Sequence, residues 1–143
     1  MHRLEPAREH VIGLYRIVIG FLFTCHGLKT IFGLFGAKST TAVTAWPGGW
    51  AALIQLVCGV LICVGLATRA AAVLGSGSMA FAYFTVHLPQ GLFPIQNGGE
   101  AATLFCWGLL LVAFVGPGRF ALGNLPVLQR SSAEPARARV TAG

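Results

Sequence analysis

Four hydrophobic runs, each close to the length needed to cross a bilayer, fill most of this 143-residue chain: residues 11–28, 50–67, 70–87 and 101–115. A bilayer's hydrocarbon core is about 30 Å thick, and at about 1.5 Å rise per residue a helix needs about 17–25 residues to cross it. Lipid-facing backbone has no water to bond, so only helices or closed barrels are open to such runs. These runs are continuous and lack the apolar–polar alternation of barrel strands, which predicts four helices. The fourth is the shortest. Gly116-Pro117-Gly118 ends it, and its start can extend back to Gly98 or Gly99.

Hydrophobic residues make up 55% of the chain and charged residues 10%, with mean hydropathy +0.74. A soluble domain carries about 25% charged residues. At this length one bundle is the natural unit. The expected fold is therefore all-α, an integral membrane antiparallel four-helix bundle. The first run reads as a true span rather than a signal peptide. Its flank mixes Arg3 and Arg8 with Glu5 and Glu9, and no small-x-small cleavage site follows closely. Leu22-Phe23-Thr24-Cys25 is a poor lipoprotein-type match, because bulky Phe23 stands where a small residue is needed.

Cation placement orients the bundle. Arg3, Arg8, Arg69, Arg119, Arg130, Arg137 and Arg139 fall on one side, and Lys29 and Lys38 on the other. The positive-inside rule then puts both termini in the cytoplasm. This bias accounts for most of the formal charge of +6, so nucleic acid is not an expected partner. The expected organisation is a cytoplasmic flank over residues 1–10, a transmembrane domain over 11–118, and a basic cytoplasmic tail over 119–143. Ser, Ala and Pro in that tail predict disorder, and its arginines suit anionic headgroups. Trp46 and Trp50 fit an interfacial aromatic belt. Residues 88–99 hold two prolines and three glycines, which speaks against a regular helix there. The turn at Thr68-Arg69 is short enough to force an antiparallel hairpin between the second and third spans.

Polar and small residues inside the runs carry the functional question. Gly13, Gly20, Thr24 and Gly27 share a narrow face of the first run, and Ser76, Ala80, Tyr83 and His87 a face of the third. Such faces serve close helix contact, a cavity, or both. Arg16 lies on the glycine face, where a charge costs roughly 2.5–3.5 kcal/mol to insert. It either snorkels toward the cytoplasm or stands as a fixed buried charge with a structural or anion-pairing role. A second cluster gathers at the opposite, outer end: His26, Gln55, Tyr83, His87, Asn97 and Glu100, with Lys29 beside them. Imidazole and carboxylate in a half-dry pocket suit proton exchange or a polar head such as a quinone ring. The plainer alternatives are a helix cap for Glu100 and interfacial positions for the histidines.

Two histidines and a glutamate at this spacing match no compact zinc motif, so no metal is expected. Cys25, Cys58, Cys63 and Cys106 form no Cys-x-x-Cys pair and suit packing, with a Cys25–Cys106 disulfide conceivable on the oxidising side. No P-loop, dinucleotide fingerprint or nucleophile triad is present, and no catalytic residue is assigned.

The pattern resembles the DoxX family of small four-span bacterial membrane proteins. The matching segments are Arg16-Ile17-Val18-Ile19-Gly20, His26-Gly27-Leu28-Lys29, Gln55-Leu56-Val57-Cys58-Gly59, Gly65-Leu66-Ala67-Thr68-Arg69, His87, Asn97-Gly98-Gly99-Glu100 and Gly116-Pro117-Gly118. They extend over roughly residues 15–122 and are specific through their order more than singly. The family often has Glu where Gln55 stands, which weakens a proton-handling role there. Its usual acidic residue after the last glycines is replaced by Phe120-Ala121-Leu122-Gly123. The resemblance implies a bacterial cytoplasmic membrane location. It also implies kinship with subunits of thiosulfate:quinone oxidoreductases and with membrane partners of redox-defence assemblies. The expected role is an accessory membrane subunit in redox or quinone-linked processes, with no intrinsic cofactor but a bound quinone near the outer side. Redox-enzyme proteins and the bilayer are the expected partners, and self-association is open. A ligand-free scaffold for redox-defence proteins and a carrier for a small solute or protons are the alternatives.

Overall fold

The computed structural model describes residues 5–125. Every regular element among them is helical. α1 spans Glu5–Phe32, α2 Gly48–Val64 and α3 Thr68–Ala82. A π-helical turn, Tyr83–His87, and a 3-10 turn, Leu88–Gln90, continue α3. α4 is the single turn Pro94–Asn97, α5 spans Glu100–Val115, and a 3-10 turn closes at Leu122–Asn124. Each of the four hydrophobic runs thus carries one long helix. Residues 7–32 and 68–90 form helices long and apolar enough to cross a membrane, whereas α2 and α5, at 17 and 16 residues, are shorter apolar helices.

The helix ends follow local chemistry. Gly65 takes the left-handed conformation after α2 (φ 80°), and its N–H bonds back to the Leu61 and Ile62 carbonyls. That closes the helix and leaves only Leu66 and Ala67 before α3. The segment 88–99 is more ordered than its prolines and glycines predict. Pro94 sits at the first position of α4, where its missing N–H costs nothing, and Gly98 (φ 68°) ends the turn. The breakers here punctuate short helical turns rather than abolish them.

The four long helices form a ring in which α1 packs on α2, α2 on α3, α3 on α5, and α5 only sparsely back on α1. Neighbours run antiparallel: Gly20 lies against Gly59 and Cys63, and Gly27, two turns later, against Ala52 and Leu56. A Cβ at Gly20 would fall 2.6 Å from the Cys63 nitrogen, and one at Gly27 2.7 Å from the Leu56 nitrogen. α1 and α2 therefore touch backbone to backbone, which only glycine permits. Phe23, Ile62, Ala72, Met79, Leu109 and Val112 fill the centre.

Arg16 closes the end of the bundle opposite the α3–α5 connection. It is fully buried, and all its acceptors are backbone carbonyls. Nη1 donates to Ile62 O and Cys63 O at 2.6 Å each, and Nε to Pro117 O at 2.8 Å. Nη2 donates to Phe120 O at 3.0 Å and, weakly, to Arg119 O at 3.4 Å. The last carbonyls of a helix lack intrahelical donors, and a cation there complements the helix dipole. The five guanidinium N–H groups match this ring of acceptors. Arg16 therefore neither snorkels nor presents its charge to a ligand.

The same contact moves the boundary expected at residue 118. Residues 119–125 belong to the packed unit: Arg119 N donates to Glu9 O and Gly123 N to Gly65 O, each at 3.0 Å, and Ala121 is buried. α1 likewise begins inside the flank expected over residues 1–10. The rest of the expected tail, with Arg130, Arg137 and Arg139, and Arg3 at the other end, lie outside the described residues.

Candidate functional site

At the other end of the ring, a cavity of about 260 Å³ opens between α1, α2, α3 and α5. His26, Gln55, Met79, His87, Ala101 and Phe105 are among its walls. Gln55 is carried by α2 and half-buried. Its Nε2 reaches the Met79 sulfur at 3.8 Å. A thioether only accepts, so the amide N–H₂ faces it and the carbonyl faces away. Gln55 Oε1 is buried with no hydrogen-bond partner among the described residues.

His87 is fixed from the connection beyond it. Its Nδ1 lies 3.1 Å from the main-chain carbonyl of Asn97. A carbonyl can only accept, so the neutral ring carries its proton on Nδ1 and keeps Nε2 as an acceptor. His26, late in α1, stands edge-on to Phe105 with centroids 5.2 Å apart.

A second hollow of about 420 Å³ runs along the sparse α1–α5 seam. Val18, Ile19, Leu22 and Leu104 line it, Tyr15 and His26 are its polar wall residues, and it shares His26, Ala101 and Phe105 with the cavity. An apolar groove on the side of the bundle thus adjoins a smaller chamber with imidazole and amide groups. Both are concave, and the pair offers a long apolar surface with a few placed polar groups, the usual character of a small-molecule site.

Of the six residues expected to form the site, the structure brings His26, Gln55 and His87 to one cavity and leaves three outside its walls. Tyr83 donates its hydroxyl to Leu92 O at 3.1 Å and stacks on His87 at 6.5 Å. Asn97 is buried and pins the connection: Nδ2 donates to Gly91 O at 2.7 Å, and Oδ1 accepts from Gly99 N at 2.8 Å. Its carbonyl is what holds His87, so Asn97 supports the cavity without facing it. Glu100 is exposed at the first turn of α5.

The π turn explains part of this difference. Straight helical spacing puts Tyr83 and His87 on one face. Bonding five residues apart over Tyr83–His87 widens the turn and realigns the face, so His87 joins Met79 and Ala82 at the cavity. Met79 and Phe105 were not among the expected residues. Both read as ordinary core positions, and the available signal for Met79 was its place one turn before Tyr83. All four cysteines are free thiols, so the conceivable Cys25–Cys106 bridge is absent. Cys106 instead receives the Ser76 hydroxyl at its carbonyl, 2.8 Å away.

Two comparisons with known proteins bear on the chain. The model of the DoxX family matches residues 11–88. A protein of Haemophilus influenzae, described only as uncharacterized, is 36% identical over 129 residues, covering 87% of this chain and 96% of that one. No solved structure matches.

Proposed function

The chain belongs to the DoxX family, and from that premise we propose that it is a multi-pass protein of the bacterial cytoplasmic membrane that holds a quinone-type ligand for a redox system. Its four long helices would all span, with both termini inside. α1 and the α3 helix reach across by length. α2 and α5, about 24–26 Å long at 1.5 Å per residue, span with local thinning of the bilayer. The ring presents Leu14, Phe21, Val60, Leu74, Leu111 and Phe114 outward, an apolar girdle suited to acyl chains.

The observation that carries the ligand reading is the adjoining pair of hollows. A quinone has a polar ring and a long apolar tail. The α1–α5 groove opens sideways, toward lipid, and suits the tail. The chamber with His26, Gln55 and His87 suits the ring. Entry is then lateral, from the membrane. The chain's own residues bind and orient the head, and electron exchange takes place with a partner of the redox system, which gives the protein an accessory role.

The test is purification in gentle detergent, organic extraction and identification of co-purifying small molecules. A quinone retained by the wild type and lost from Leu22→Trp, which fills the groove with the chamber intact, supports the reading. Protein that never retains or rebinds a quinone, and instead carries stoichiometric partner proteins, overturns it in favour of a scaffold.

A further inference from the structure

We infer that the chamber selects the reduced, hydroxyl-bearing form of its ligand, a hydroquinone, over the corresponding quinone. This rests on the quinone-type reading above and concerns which redox form the site holds.

The two anchored polar groups of the chamber are both acceptors. Gln55 turns its carbonyl away from the Met79 sulfur, and Oε1 is buried without a donor. His87 spends its proton on Asn97 O and keeps the lone pair of Nε2. A rotated Gln55 amide would set its oxygen against the sulfur, acceptor against acceptor, so the Met79 contact favours the orientation found. Among the described residues nothing hydrogen-bonds a ring nitrogen of His26 to fix its tautomer, and such an imidazole can serve a hydroxyl or a carbonyl alike.

A quinone brings only lone pairs. With its oxygens toward Gln55 Oε1 and His87 Nε2 it meets acceptor with acceptor and supplies neither with a donor; His26 alone can donate to it. A hydroquinone has the same outline and two O–H donors for these two acceptors, and one of its oxygens can still accept from His26. A buried acceptor without a donor is costly, so supplying one is worth about tenfold in affinity or more. Selectivity of this kind is large because the wrong ligand strands polar groups of the site rather than merely fitting loosely.

The test compares three probes on the full-length protein in lipid nanodiscs under anaerobic conditions: a decyl-tailed benzoquinone, its hydroquinone, and the dimethyl ether of that hydroquinone. Equilibrium binding is measured for each. The hydroquinone is expected to bind about tenfold or more tighter than the quinone. The ether has similar bulk and no O–H, and it is expected to bind as weakly as the quinone. Gln55→Leu should weaken the hydroquinone alone and narrow the gap. Gln55→Glu, which keeps an acceptor, should preserve it. Equal affinity for quinone and hydroquinone, a tighter quinone, or an ether that matches the hydroquinone overturns the inference and leaves the quinone-type site standing. Failure of all three probes to bind overturns the quinone-type reading itself. The wild-type comparison of the three probes decides the matter even if a Gln55 variant does not fold.

Discussion

Replacing Arg16 with methionine tests whether the buried guanidinium holds the fold together or is a tolerated burden. Met has similar length, no charge and no donors. The change removes four well-formed hydrogen bonds and one long one, and strands the carbonyls of Cys63, Pro117, Arg119 and Phe120. Ile62 O keeps a partner in Gly65 N at 3.2 Å. A buried acceptor left without a donor costs about 1–3 kcal/mol, so four stranded carbonyls make a loss of several kcal/mol the expectation. An opposing effect exists, since inserting Arg into a bilayer costs roughly 2.5–3.5 kcal/mol and Met removes that burden. The two act on different steps. Relief of insertion cost raises the yield of membrane-integrated chain, whereas the lost bonds lower the stability of the folded bundle relative to inserted but unpacked helices. Arg16→Met should therefore insert at least as well as wild type and unfold far more readily. Arg16→Lys should fall between, because an ammonium has three donors and no planar fork. Thermal unfolding in a mild detergent, followed by size-exclusion fluorescence, reads the stability, and carbonate-resistant membrane fraction reads insertion. An Arg16→Met protein as heat-resistant as wild type would refute the view that the carbonyl ring is a structural clamp.

The other changes probe single contacts. Gly27→Leu should push α1 off α2, since even a Cβ meets the Leu56 nitrogen at 2.7 Å; the expected loss is about 1–3 kcal/mol or more in thermal or denaturant unfolding. Asn97→Ala should cost about 1–3 kcal/mol and weaken ligand binding through His87, because it strands Gly91 O and Gly99 N beside the carbonyl that orients the ring. Glu100→Gln should leave ligand binding unchanged and remove about 0.3–1 kcal/mol of dipole stabilisation from α5, measured by the same binding and melting assays. Ser76→Ala should cost about 1 kcal/mol through the Cys106 carbonyl it releases.

The helices were legible in the sequence because the signal behind them is long and redundant. Four apolar runs bounded by Gly, Pro and Arg leave little choice, and Gly20 and Gly27 at a spacing of seven residues point directly to the face where two backbones meet. What was not legible depended on single long-range encounters. Arg16 reads as expensive from its position, but its acceptors sit 46 to 104 residues away, and backbone carbonyls leave no trace in residue identity. For the same reason residues 119–125 read as the start of a tail, although their backbone completes the clamp. At the opposite end, the one-residue widening of the turn at Tyr83–His87 decides which of two neighbouring side chains faces the chamber, and hydrophobic periodicity is too coarse to register it.

The two ends of the bundle are built on opposite terms. At the Arg16 end, the donors of one fully buried side chain meet a ring of carbonyls on α2 and the segment after α5. At the His87 end, Gln55 Oε1 has no hydrogen-bond partner among the described residues, although Ala82 and Ala102 line the same chamber and a Ser at either would bring a hydroxyl to its wall. A fold that satisfies five carbonyls with one guanidinium is not short of ways to satisfy one amide. The lone acceptor, the fixed tautomer of His87 and the sparse α1–α5 seam all lie around one chamber. A purely structural explanation must treat the three as unrelated defects, whereas a ligand with an O–H head and an apolar tail accounts for them together. Ala82→Ser separates these views. If the acceptor is only a defect, the new hydroxyl stabilises the protein by about 1 kcal/mol and changes nothing else. If the acceptor serves a ligand, the same stabilisation comes with a loss of hydroquinone affinity of about tenfold, and stabilisation without loss of binding would refute the functional account.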